Sequence, residues 1–294
     1  MVYLGELCAL GAALVWATAV ILFRRSGETT PPFALNLFRV GVSGVLLTAL
    51  VLATGQPLFH GRAANDLTWL ALSGIVGIAV SDTLFHRCLN MVGAGLNAIV
   101  DCLYSPFVAV FAFLLLGEKL GPWQLAGMVV VVGGVLMTTS AVPPPGSSQR
   151  DVTFGLLWGC AAMATLALGV IWAKPVLETS SLLWATAIRQ IASFAVMAPV
   201  AMVMRDRKKI WSVFWPSSSW RFSLPGTVLG SFVALLLWLA GMKYTEAGTA
   251  AIINQTNTVF LLVLASIFLK EPFTARRWVA AGLAIAGILM VTFG

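Results

Sequence analysis

LLLGEKLGPWQLAG at residues 114–127 and IFLKEPFTARRWVA at residues 267–280 are two versions of one pattern: an apolar run, a glutamate, a short break and a second apolar run. Glu118 and Glu271 stand 153 residues apart, and the same offset pairs Gly95 with Gly248, Asp101 with Asn254, Tyr104 with Asn257 and Gly134 with Gly287. Nearer the start of each half the offset is 150, pairing Gly5 with Gly155, Arg24 with Lys174 and Arg39 with Arg189. The chain therefore reads as an internal repeat of about 150 residues.

Outward from these stretches the sequence stays apolar. Of its 294 residues 59% are hydrophobic and 10% charged, with a mean hydropathy of +0.93, against roughly 25% charged in soluble domains. Apolar runs recur at the length that crosses about 30 Å of hydrocarbon. They give spans near 4–23, 32–53, 68–90, 95–116, 122–140, 153–173, 182–204, 224–242, 247–269 and 275–293. Each must be a helix, because a lone segment in lipid has to satisfy its own backbone hydrogen bonds. AVPPPGSSQRD at 141–151 breaks the pattern at mid-chain, as three prolines and a Gly-Ser-Ser run would. Repeat 1 is thus 4–140, the linker 141–152 and repeat 2 153–293. Five spans is an odd number, so the second half must lie upside down relative to the first. The expected fold is an all-α integral membrane protein of ten transmembrane helices in two inverted five-helix repeats, an arrangement that places a transport site near the midplane.

Other classes are disfavoured. The net charge of +7 is spread in small groups between apolar runs, as topology determinants are, and no nucleic-acid partner is expected. Cys8, Cys88, Cys102 and Cys160 lie within apolar runs without CxxC spacing, so neither disulfides nor a zinc site is indicated. Arg24 and Arg25 follow the first apolar run and no basic segment precedes it, so it reads as a helix and not as a signal peptide. There is no P-loop, and neither HExxH nor GxSxG occurs. The chain is not expected to be an enzyme or to carry a cofactor.

The tryptophan-bearing LVWATAVILFRR (14–25), the arginine in LNLFRVG (35–41), SPFVAVFAFLLLGEKLGPWQLAGMVVVVGGVLM (105–137) and IFLKEPFTARRWVAAGLAIAGILM (267–290) together resemble the EamA domain of the drug/metabolite transporter superfamily, in two copies. The resemblance implies ten helices and export or exchange of small metabolites by alternating access. It leaves the cargo open among amino acids, sugar nucleotides and other solutes. Pro106 fits the family pattern, but its counterpart in the second half is Val259, so that helix lacks a proline kink.

Orientation has two readings. Eleven Lys and Arg flank or fill the loops after helices 1, 5, 7 and 9, against four on the other side, which places both termini outside. The family resemblance places them inside. Either way the expected location is a prokaryotic cytoplasmic membrane, in a monomer or homodimer whose partners are a small-molecule substrate and membrane lipid.

Ionisable groups at membrane depth are costly unless paired or facing water, which marks them as candidates. Arg39 and Asp101 lie about 10 Å from one surface at ~1.5 Å rise per residue, and Asp82 reaches a similar level from the opposite face, so the three can meet. They form either a structural ion pair or a carboxylate that exchanges protons or binds a cationic substrate group, and His86, nearer a helix end, is a further proton-coupling or ion-pair candidate. Arg189 has no acid at matching depth in its own half. Asn254, Gln255 and Asn257 lie near its level, and 254 and 257 share a helical face. Arg189 facing these amides would suit a carboxylate or phosphate; alternatively it snorkels while the amides bond helix to helix. Trp16 and Tyr104 are further pathway candidates by their place in the EamA-like helices. Glu118 and Glu271 read as turn devices. GMVVVVGG (127–134) and AAGLAIAG (280–287) read as close-packing surfaces, either within the chain or between two copies. The leading reading is a secondary transporter of amino acids or related anionic or zwitterionic solutes. Rival cargoes are lipid and divalent cations, and an intramembrane enzyme is a remoter reading.

Overall fold

The computed structural model describes residues 3–61, 63–138, 148–244, 247–271 and 274–293; these contain helices and no strand. α1 (Leu4–Ser26) and α2 (Pro32–Ala53) are followed by α3 (Ala64–Gly74) and α4 (Ser81–Val92), joined through a π turn at Ile75–Val80. α5 (Ala94–Asp101) and α6 (Tyr104–Phe111) form one span ending in a π turn at Ala112–Leu116, and α7 (Pro122–Thr138) follows. Next come α8 (Gln149–Thr179), α9 (Leu182–Val203) and the short α10 (Arg207–Trp211). α11 (Trp220–Val228) runs through a π turn at Leu229–Val233 into α12 (Ala234–Tyr244), and α13 (Ala247–Leu269) and α14 (Ala275–Phe293) complete the chain. Among the described residues eight helices are long and apolar enough to cross a membrane, and Pro122–Thr138 and Thr256–Leu269 are shorter apolar ones. Val129 and Val203 are 72% and 84% exposed, which suits a surface whose solvent is lipid and not water.

Local chemistry explains where the helices depart from the expected spans. The span expected at 95–116 is interrupted at Cys102 and Leu103, which bond back to Ile99 and Val100 at 3.2 and 2.9 Å. Pro106 has no N–H for the carbonyl four residues earlier and its ring crowds that carbonyl. Val259 imposes neither constraint, and α13 runs unbroken. α8 begins at Gln149, inside the expected linker, because Ser148 and Asp151 form a reciprocal capping box that satisfies its first free N–H groups. The rest of the linker, with residues 139–147, lies outside the described residues.

Helices of the first half pack mainly on helices of the second. α7 crosses α14, α2 lies on α9, α1 packs on α12 and α13, and α8 packs on α4 and α6. Exchanging the halves maps this set of pairs onto itself. The crossings are close because small residues meet: a Cβ on Gly127 would come 2.6 Å from the Gly287 carbonyl oxygen, and one on Gly134 2.8 Å from that of Ala280. The two small-residue clusters therefore face each other within one chain. Gly169 and Gly77 likewise let α8 meet the first π turn at backbone distance, a Cβ on Gly169 falling 2.6 Å from Gly77 Cα.

Candidate functional site

A cavity of about 290 Å³ lies at the centre of the helices. α1 contributes Trp16 and Phe23, α2 Arg39, α4 Asp82, Phe85 and His86, and the α5–α6 span Asp101, Cys102 and Tyr104. From the second half come Met163 and Leu166 of α8 and Asn254, Asn257 and Thr258 of α13. The wall is thus shared between the halves, with aromatic, amide and charged groups in a largely apolar surround.

Arg39 and Asp82 form an ion pair. Arg39 also donates from Nη1 to Ser231 Oγ at 3.2 Å and from Nη2 to Asn36 Oδ1 at 3.4 Å. Asn36 in turn donates to the carbonyls of Ile78 and Ala79, both at 3.1 Å. Those carbonyls belong to the π turn, where the regular helical ladder is interrupted, and a side-chain amide supplies them with a donor. The turn, Asn36, Arg39 and Asp82 form one connected buried network.

Asp101 lies apart from that network. Its carboxylate accepts from Asn97 Nδ2 at 3.1 and 3.2 Å, and among the described residues it forms no ion pair. Arg39, Asp82 and Asp101 therefore share a cavity but do not form a triad. His86 sits between the rings of Phe23 and Phe85, with Nδ1 2.5 Å from the Asp82 carbonyl oxygen. That carbonyl only accepts, so Nδ1 carries a proton. Nε2 is buried and without a partner among the described residues.

Arg189 is placed differently from the sequence expectation. It does not line the cavity with Asn254 and Asn257. α9 crosses α3 with backbone in contact at Gly74, and Arg189 Nη2 is 3.2 Å from where a Cβ on Gly77 would be. Gly77 leaves room for the guanidinium beside the first π turn, with Tyr104 as its electrostatic neighbour. The amides instead look into the cavity, where Asn257 Oδ1 accepts from the Thr258 hydroxyl at 3.1 Å. The Gln255 side chain lies outside the described residues.

Sequence reasoning missed the supporting polar groups. Asn36 and Asn97 precede Arg39 and Asp101 by three and four residues, one helical turn, a spacing that was available as a signal. Ser231 had no such signal, since only the crossing of α2 on the π turn at Leu229–Val233 brings it to Arg39. Glu271 is likewise more than a turn residue: its carboxylate accepts from the N–H groups of Ala94 and Gly95 at 2.6 and 2.9 Å and pairs with buried Arg277 at 3.3 Å.

The model of the EamA-like transporter family matches residues 3–140 and 153–293. The chain belongs to that family. It is similar to a WAT1-related chloroplastic protein of Arabidopsis thaliana, 25% identical over 285 residues that cover 95% of this chain and 67% of the relative. It is also similar to the uncharacterized transporter YetK of Bacillus subtilis (strain 168), 22% identical over 298 residues, covering 98% and 86% of the two chains. A solved structure described as "Crystal structure of protein" superposes with a TM-score of 0.67 at 19% identity, covering 98% of this chain and 96% of its own; that likeness concerns the fold. Members of the EamA-like family are transporters, and this EamA-like chain is a multi-pass membrane protein.

Proposed function

We propose that this EamA-like chain is a secondary transporter, an exporter or exchanger of amino acids or related small zwitterionic or anionic solutes, working by alternating access across ten spans. The two domains, 4–140 and 153–293, are inverted copies that rock against each other, with the solute held between them. The 153- and 150-residue offsets support this, as does a set of helix pairs that survives exchange of the halves.

The observation that carries the reading is the central cavity, walled by both halves and about 290 Å³ in volume, near the small end of the range for pockets that enclose organic ligands. Its charge is uneven. Arg39 neutralises Asp82, which leaves Asp101 as the carboxylate free to meet a solute ammonium or a transported proton. The Asn254 and Asn257 amides and the Tyr104 hydroxyl provide the polar contacts for the rest of the solute, and Trp16 an aromatic wall. A divalent cation would want several oxygen ligands at once, and one uncommitted carboxylate suits it less.

Radiolabelled amino acids, nucleotides and sugars offered to proteoliposomes of the full chain test this. The expected result is gradient-dependent uptake of an amino acid, reduced at least about tenfold by Asp101→Asn, since a charge-assisted bond is lost where the group was aimed at the solute. Undiminished uptake in Asp101→Asn would remove that residue from the site. We further propose a prokaryotic cytoplasmic membrane. A reporter fused after residue 294 decides between the two orientations: activity in the cytoplasm excludes the one given by the charge count.

A further inference from the structure

A second cavity, of about 350 Å³, lies at the end of the bundle where α3 begins and where α8 and the α5–α6 span finish. It shares no lining residue with the central cavity. α3 supplies Asn65, Asp66 and Trp69, which fall on one helical face because Trp69 stands four and three residues after the other two. α8 supplies Ile171, Trp172 and Pro175 by the same spacing, and leucines of the π turn at Ala112–Leu116 add an apolar side.

The rings of Trp69 and Trp172 meet with centroids 6.2 Å apart and planes at 57°, so two indoles border one small space. Aromatic faces carry negative charge density and attract cations. The polar groups beside them have the same preference. Asp66 brings a carboxylate and Asn65 an amide oxygen. Pro175 lies inside α8, where it has no N–H to give to the carbonyl four residues back, that of Ile171, and its ring crowds that carbonyl. Ile171 and Pro175 both line the cavity, so the acceptor freed from the helical ladder belongs to a residue of the wall. The neighbouring cation on α8 is already engaged: Lys174, between Trp172 and Pro175, holds Glu118 at 2.5 Å. Among the described residues Asp66 is the one ionisable group that lines the cavity.

We propose that this cavity binds an organic ammonium group, with the Asp66 carboxylate and the Ile171 carbonyl accepting its N–H bonds and the Trp69 and Trp172 rings covering its charge. The site goes beyond the transport reading and does not depend on it. A divalent metal ion fits less well, because it takes six or more oxygen ligands and the two indoles offer none. An anion would meet the Asp66 charge and the ring faces. A soluble amine and the headgroup of an ethanolamine lipid carry the same chemistry, and a place at the helix ends, where indoles sit at headgroup level, is open to both. A carboxylate in the first turn of a helix and tryptophans at the interface also favour the fold. Those roles do not include recognition of a cation.

The test uses the full chain in lipid-free detergent, with Asp101→Asn present throughout to silence the central cavity, and saturation-transfer NMR with n-butylamine as the probe and n-butanol as its uncharged counterpart. Butylamine should bind, and butanol should not at the same concentration. Asp66→Asn should weaken butylamine binding at least about tenfold, the loss of one charge-assisted bond, and Trp69→Leu about threefold, the loss of one exposed aromatic face. Trp69 is 40% exposed and Asp66 half-buried, so both variants keep the fold, and an unchanged unfolding midpoint beside the lost affinity separates recognition from a structural role. In nanodiscs, displacement of butylamine by phosphatidylethanolamine and not by phosphatidylglycerol names the lipid headgroup as the occupant. Retention of butylamine in both lipids names a soluble amine, and both results uphold the site. No binding of butylamine, equal binding of butanol, or an affinity that neither substitution changes overturns the site and leaves the transport reading standing, since the two cavities have no residue in common.

Discussion

Replacing Asp82 with alanine is expected to destabilise the folded protein by about 3–5 kcal/mol, because it leaves the Arg39 guanidinium buried without its counter-charge. The pair lies deep, at 7% and 18% side-chain exposure, so bulk water does not replace the lost carboxylate. Ser231 and Asn36 remain as neutral acceptors, but Arg39 Nε already lacks a partner among the described residues. The measurement is the thermal unfolding midpoint in detergent. The double variant Arg39→Met with Asp82→Leu should recover most of the loss, since replacing both members of a buried pair with apolar groups is often close to neutral. If Asp82→Ala alone shifts the midpoint no more than a lipid-facing substitution does, the cavity hydrates Arg39 and the network is not structural.

The second large effect is expected at the α7–α14 crossing. Gly127→Leu should destabilise by about 3 kcal/mol, at the upper end of ordinary overpacking, because even a Cβ would lie 2.6 Å from the Gly287 carbonyl oxygen and 2.9 Å from the Val291 amide nitrogen. Those are backbone atoms, so the neighbour cannot rotate away and the helices must separate. Gly133→Leu is the control on the same helix, since a Cβ there meets nothing within 4 Å, and it should leave the midpoint nearly unchanged. Equal losses from the two substitutions would mean that helix propensity and not the crossing governs this surface.

The contrast between Gly127 and Gly133 also shows how far the sequence could be read. GMVVVVGG announces close packing by its composition, but it does not say which glycine faces a neighbour, because α7 is apolar all round. In water a helix declares its buried face by polar residues on the other; in lipid both faces are apolar and that signal is absent. The same loss of contrast affected Arg189. Its place along α9 could be counted, but its direction depended on the close approach of α9 to Gly74 of α3 and Gly77 of the first π turn.

What the sequence determined by itself was one-dimensional: the positions of the apolar runs and the repeat offsets. These follow from chain geometry and from the rule that backbone polar groups in lipid must be satisfied within the segment. Only the tertiary structure decided that Arg39 takes Asp82 and leaves Asp101 to Asn97, and that Glu271 caps α5 while Glu118 stands in the open. Those choices depend on which helices cross and at what rotation. Contacts of a few ångströms between separate helices leave no mark on the periodicity of either one.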